Sequence, residues 1–524
     1  VAELHPFHPI IYVRGFAATQ SEIEDTVADP YMGFNIGSTK SRTVWTGEVK
    51  KYFFESPLVR LMSDHDYQDV FVDGDDLSEA RRFDAGVPYR CIVIYRYYDQ
   101  ASQDFGDGQG TPAIEQFARG LNDLILRLKQ KVCDNPANGV SSDQFRCYLV
   151  AHSMGGLVCR SFLQNPDPAF DAAQASVDKL FTYATPHNGI DMRIVRNVPG
   201  WLSFGDVNNF NRERMAKYLY LPKGDDVAVL RDFPPERVFN LVGTNPRDYK
   251  VAGGLSSWAV GESSDGLVRI ENATTHGPDK SGTDLQSPRA FVHRSHSGYY
   301  GIVNSEEGYQ NLTRFLFGKL RVDGILDVDD ISLPVEVQKE LKSGKDVKAS
   351  YQFEIAVSVR GCQWQLTRRD VRENSAIFRS YDELFPETQG EKRAPDRKAS
   401  PHLFSVFLDP DKSVKNSGAV SFALDLKVLV PDYTIDGLLF LDRHYEGGFI
   451  YRELIIVEAI PDKTALGGWR IKYGYQDLNP GKPGSSANTY ALADNSGIGF
   501  DIPIQQNTNP GLTGKLRIEA RPWS

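Results

Sequence analysis

Up to about residue 318, short and uniformly apolar runs alternate along the chain with longer amphipathic ones. "PIIYV" (9–13), "CIVIY" (91–95), "CYLV" (147–150), "LFTYA" (180–184) and "VFNLV" (238–242) show no regular polar alternation, as expected of strands covered on both faces. Between the second and third, Thr111 is placed to cap a helix with Pro112 at its first position. Ile114, Phe117, Ala118, Leu121, Leu124, Ile125 and Leu128 then recur at three- and four-residue spacing and form one apolar stripe. A second helix is predicted from Asn304 or Ser305 to Gly318, with Glu306 and Glu307 in the first turn, where the helix dipole favours them. Strands and helices in this succession predict an α/β domain with a mainly parallel sheet.

Beyond residue 318 the period changes to two. Tyr351, Phe353, Ile355, Val357 and Val359 alternate with smaller or polar residues, as do Val420, Phe422, Leu424, Leu426, Val428 and Val430. Further strands are predicted at 402–408, 449–458, 468–473 and 514–520, separated by turn-rich stretches such as "NPGKPGSS". Residues 319–524 therefore read as an all-β antiparallel sandwich, and the polar stretch 387–401 as a mobile surface loop. "DVDD" (327–330) and "DPDK" (409–412) read as turns, since neither has the pattern of a calcium loop.

Composition narrows the function classes. A chain of 524 residues exceeds what one core usually supports, which agrees with two domains, 1–318 and 319–524. A net charge of −10 and the lack of a basic stripe interleaved with aromatics argue against nucleic acid as a partner. No apolar stretch approaches the roughly 20 residues that span a bilayer, which leaves contact with a membrane surface open. Five cysteines, an odd number without C-x-x-C spacing, argue against a disulfide framework and a zinc site; no metal or cofactor is expected. With no leader pattern in "VAELHPFHPI", the expectation leans to the cytoplasm, although a leader removed earlier would leave the same start.

The chemistry centres on "CYLVAHSMGGLVCR" (147–160). A strand ending near Val150, a tight turn carrying Ser153 and a helix starting at the glycines make a nucleophile elbow. So sharp a turn requires small residues two positions either side, here Ala151 and Gly155. The helix N-terminus beside Ser153 offers the Met154 N–H as a first oxyanion donor. A second is expected from "YVRGFAAT", where Gly15 permits a close turn and the N–H of Phe16 faces the site.

Together, "VRGF", "AHSMGG", "YATPHNG", "SDGLV" and "HSGYYGIVNS" resemble the lipase-like α/β-hydrolases, close to bacterial triacylglycerol lipases and to the GPI inositol-deacylase-like group, over residues 8–318. The chain departs from the family's pattern at Ala151, where glycine is more frequent, and at Arg14, where many lipases have histidine. The resemblance implies the triad order Ser, acid, His. On that order Asp265 is the acid, with Glu262 competing, and His296 the base. His293 lies at a strand end and His187 precedes the acid, so both are weaker candidates; His152 is expected to point elsewhere in a supporting role. The implied reaction is hydrolysis of a small-molecule or lipid carboxylic ester through an acyl-enzyme, without a metal. Segment 190–236, rich in Trp201, Leu202 and Phe204, reads either as a cap with apolar walls for an acyl chain or as an ordinary helical connection. A catalytically idle scaffold on the same fold, or acyl transfer or amide cleavage by the same triad, are the alternatives.

Overall fold

The computed structural model describes residues 6–15, 39–43, 49–53, 57–70, 86–97, 113–190, 210–224, 226–246, 268–296, 301–345, 347–387, 393–413, 418–435, 443–476 and 485–524. They fall into two compact units, Val1–Phe317 and Gly318–Ser524.

The first unit is built on a sheet of β1 (Ile10–Val13), β2 (Gln68–Asp69), β3 (Cys91–Tyr95), β4 (Cys147–His152), β5 (Val177–Tyr183), β6 (Val238–Gly243) and β7 (Arg289–Val292). Their spatial order is β7-β6-β5-β4-β1-β3-β2, and every neighbouring pair is parallel. The apolar runs form strands because both faces are covered: every residue of β1, β3 and β6 is buried. β5 begins three residues before the apolar run, at Val177, and β2 is a two-residue strand that no pattern announces.

α1 (Ile114–Cys133) buries the whole predicted stripe; Ala113 occupies the N-cap, its N–H bonded to Gln116 Oε1 (3.2 Å), while Thr111 and Pro112 lie outside the described residues. α2 (Met154–Leu163) is buried throughout. α3 (Glu306–Phe317) starts where Ser305 Oγ accepts from the Gly308 N–H at 2.9 Å. At its other end Lys179, fully buried on β5, donates from Nζ to the Leu316 carbonyl (2.9 Å). Burial pushes this ammonium down to about 7, only partly offset by neighbouring Asp178.

The second unit is an antiparallel sandwich. One sheet orders β11 (His402–Leu408), β8 (Leu320–Ser332), β16 (Gly511–Pro522) and β15 (Ile498–Gln506); the other orders β10 (Gln365–Arg369), β9 (Val347–Val359), β12 (Val420–Ile435), β13 (Arg443–Pro461) and β14 (Trp469–Tyr475). One core joins their inner faces, with Leu326, Ile502 and Leu516 against Phe353, Leu424 and Val428. "DVDD" is not a turn but part of β8, where Asp327 accepts from Arg517 Nε (3.1 Å) and Ser400 Oγ (2.7 Å). "DPDK" is a turn, with Asp409 capping Pro410–Lys412. In the polar stretch, Arg393 pairs with Asp382 and Glu387, and Arg397 donates to the Val328 carbonyl (3.0 Å).

Candidate active site

All seven strands of this parallel sheet point their carboxyl ends to one edge, so the segments leaving β1, β4, β5 and β7 share one rim. Ser153 leaves β4 with φ 53° and ψ −125°, and α2 begins at the next residue. A non-glycine residue there is strained by about 1–3 kcal/mol, as expected of a side chain pushed out of a sharp turn. Its N–H is fixed to the Tyr183 carbonyl at 2.9 Å. The glycines around it mark close approaches. A Cβ on Gly155 would collide with the carbonyl oxygens of Val13 and Arg14, one on Gly156 with Thr185, and one on Gly15 would lie 2.7 Å from Ser153 Cβ. The helix N-terminus and the segment after β1 are therefore pressed against the serine. Met154 opens α2, so its N–H belongs to the turn that lacks intrahelical acceptors.

β7 is three strands away from β4, roughly 14 Å at about 4.8 Å per strand. The segment after β7 nevertheless reaches back: His296 Nε2 lies 2.9 Å from Ser153 Oγ, with both residues almost fully buried. The contact suits an imidazole protonated on Nδ1, whose Nε2 lone pair accepts from the hydroxyl. Arg294 braces this segment on α3 through a bidentate pair with Glu307 (2.9 Å from NH2 to Oε2), and the Ile302 N–H bonds the Ser295 carbonyl at 2.9 Å.

His152 Nε2 lies 2.9 Å from the His296 carbonyl oxygen. Burial first, and the neighbouring His296 second, lower its pKa to about 3, so the ring is neutral near pH 7. His187 is also buried, with Nε2 3.2 Å from Thr182 Oγ1; burial and then Arg160 hold it well below the usual imidazole range. His293 is exposed, with Nδ1 3.4 Å from Thr244 Oγ1. Asp265, Glu262, Phe16, Trp201, Leu202 and Phe204 lie outside the described residues. The described end of segment 190–236 includes a short helix, Arg212–Tyr218, that buries Met215, Ala216 and Tyr218.

Arg160 went unremarked in the sequence. Its guanidinium, completely buried on α2, donates to the carbonyls of His187 (3.0 Å), Val227 (2.9 Å) and Val229 (2.8 Å). Burial lowers its pKa to about 10, which keeps it charged at neutral pH. The available signal was an arginine inside the apolar run "LVCRSFL". A second serine, histidine and aspartate meet in the sandwich unit, but in a different arrangement. Ser405 Oγ donates to Asp323 Oδ1 (2.5 Å), and His402 Nε2 faces the same oxygen at 3.2 Å. Ser405 Oγ also lies 3.4 Å from His402 Nε2, but its shorter bond is the one in which the hydroxyl donates to the carboxylate.

Residues 113–217, which carry α1, the elbow and α2, match the model of a family described as "PGAP1-like alpha/beta domain". The likeness is to the lipase-like α/β-hydrolases. The parallel seven-stranded sheet with its helices gives the first unit an α/β-hydrolase-like fold, beside a β-rich second unit. Among solved structures, the mature form of lipase BlEst2 from Bacillus licheniformis is 14% identical, over 60% of this chain and 91% of that one, with a TM-score of 0.26. Phospholipase PlaB from Legionella pneumophila is 12% identical, over 84% and 90%, with a TM-score of 0.31. Lipase 1 from Pelosinus fermentans is 13% identical, over 59% and 98%, at 0.23. No curated protein matches the chain in sequence.

Proposed function

We propose that the lipase-like α/β-hydrolase unit, residues 1–318, cleaves carboxylic esters through an acyl-enzyme on Ser153, with His296 as general base and Asp265 as the acid that fixes its tautomer. The observation that carries the proposal is the 2.9 Å contact between His296 Nε2 and a serine oxygen held on a strained elbow.

His296 Nε2 takes the hydroxyl proton as Ser153 Oγ bonds to the ester carbonyl carbon, and the carbonyl electron pair moves onto oxygen. The Met154 and Phe16 N–H groups receive that oxyanion beside the positive end of α2. Collapse breaks the ester C–O bond, and the alkoxide leaves as an alcohol with the proton from His296. Water then attacks the acyl carbon, gives a proton to His296, and the acid departs as Ser153 regains its hydrogen. The proposed substrate is a neutral or lipid ester, with Trp201, Leu202 and Phe204 of segment 190–236 as the proposed apolar contacts for its acyl chain.

The test is hydrolysis of p-nitrophenyl esters of graded acyl length by the wild-type chain and Ser153→Ala, with mass-spectrometric location of a fluorophosphonate label. Turnover is expected only with the serine present, and the label on Ser153. Undiminished hydrolysis by Ser153→Ala overturns the proposal.

A further inference from the structure

The residue before the nucleophile is tied to the segment that carries the base. His152 and Ser153 are neighbours in the chain, yet both make contact with His296: Ser153 Oγ with its Nε2 at 2.9 Å, and His152 Nε2 with its carbonyl oxygen at 2.9 Å. Two contacts between the same two stretches of chain fix a direction as well as a distance. That matters here because His296 arrives from β7, three strands away, on a segment that has to be stopped at the right place.

We infer that His152 is a positioning residue, whose Nε2–H, donated to the His296 carbonyl, sets the backbone from which the imidazole base reaches Ser153. This rests on the assignment of Ser153 and His296 under "Proposed function".

The proton inventory supports one form of the ring. A carbonyl oxygen only accepts, so Nε2 must carry the hydrogen, and in a neutral ring Nδ1 is bare. Neutrality also serves the chemistry. The two imidazole centroids are 5.0 Å apart, and a cation at 152 would oppose the imidazolium that forms on His296 in each half-reaction. The backbone at Gly15 closes over the same ring: a Cβ there would lie 3.2 Å from His152 Nδ1 and 3.1 Å from its carbonyl oxygen. His152 thus sits between the segment expected to supply an oxyanion donor and the segment that supplies the base.

Glutamine and methionine separate donor from bulk. Gln Nε2 stands the same number of bonds from the backbone as His Nε2 and carries hydrogen; methionine has similar reach and no donor. His152→Met is expected to lower kcat for a p-nitrophenyl ester by roughly 30- to 100-fold, the scale of a misplaced base, with KM within about twofold. The rate of fluorophosphonate labelling should fall in parallel, because it depends on the same proton transfer. His152→Gln should recover kcat to within roughly fivefold of wild type. His152→Phe, which keeps a ring without the donor, is the second variant should the methionine chain fail to fold; thermal melting identifies that case.

A donor-free variant that folds and keeps a third or more of the wild-type kcat overturns the inference, and so does equal impairment of the Gln and Met variants. Ser153→Ala in the same assay keeps the two claims apart. If it retains turnover, the nucleophile assignment fails. If it is inactive while His152→Met matches wild type, only the role of His152 is lost.

Discussion

Deleting the Ser153 hydroxyl in two ways separates chemistry from backbone strain. Ser153→Ala and Ser153→Gly both remove the proposed nucleophile, but only alanine keeps a Cβ at φ 53°, ψ −125°. Holding a non-glycine residue in a sparsely populated region costs about 1–3 kcal/mol, and glycine gives back about 0.5–1 kcal/mol through its freer unfolded chain. The glycine variant should therefore be the more stable by about 0.5–2 kcal/mol. For a unit of this size each kcal/mol moves the melting temperature by about 2 °C, so the expected gap is about 1–4 °C in favour of Ser153→Gly. The assay is differential scanning calorimetry of the first unit's transition, with ester hydrolysis run alongside to show both variants inactive. A glycine variant that melts at or below the alanine variant refutes the claim that the elbow is held under strain.

Gly155→Ala should be damaging, because the new methyl meets the fixed carbonyls of Val13 and Arg14. Overpacking of about 1–3 kcal/mol and a kcat loss of roughly 100-fold are expected in melting and ester assays. Gly224→Ala, which faces open space, serves as the neutral control, and equal effects at the two positions would sink the explanation. Lys179→Met tests the buried ammonium. Because burial lowers its pKa to about 7 from an ordinary value near 10.4, the unfolded chain binds more protons across that window and wild-type stability rises with pH there. The methionine variant should gain most over wild type below pH 7, the gain shrinking towards pH 10 in melting curves; a pH-independent difference contradicts this.

What the sequence made legible was periodic or punctuated. The five short apolar runs, the α1 stripe and the two-residue alternation of β9 and β12 all became the elements they predicted, because each signal is local and burial on both faces or one face writes it directly. "DVDD" was expected as a turn, but it lies within β8, and the neighbouring strand β16 supplies Arg517 across the pair as a counter-charge for Asp327. Of the candidate site, Ser153 was marked by its glycines and His296 by its place after the last strand of the unit. The path by which the β7 segment returns across three strands, and the contact His152 makes with it, were not legible, since both depend on contacts 143 and 144 residues apart along the chain. Arg160 was hidden because a charge in an apolar helix has meaning only once three carbonyls are seen around it.

That guanidinium also decides how this region comes apart. Its partners lie on the segment after β5 and on 227–229, and losing any one of them would leave a buried cation short of an acceptor, a penalty of several kcal/mol. Helix α2 and both segments are thereby bound into one cooperative opening unit, in which fraying of a single piece is suppressed and amide protons exchange with solvent only when all three release together.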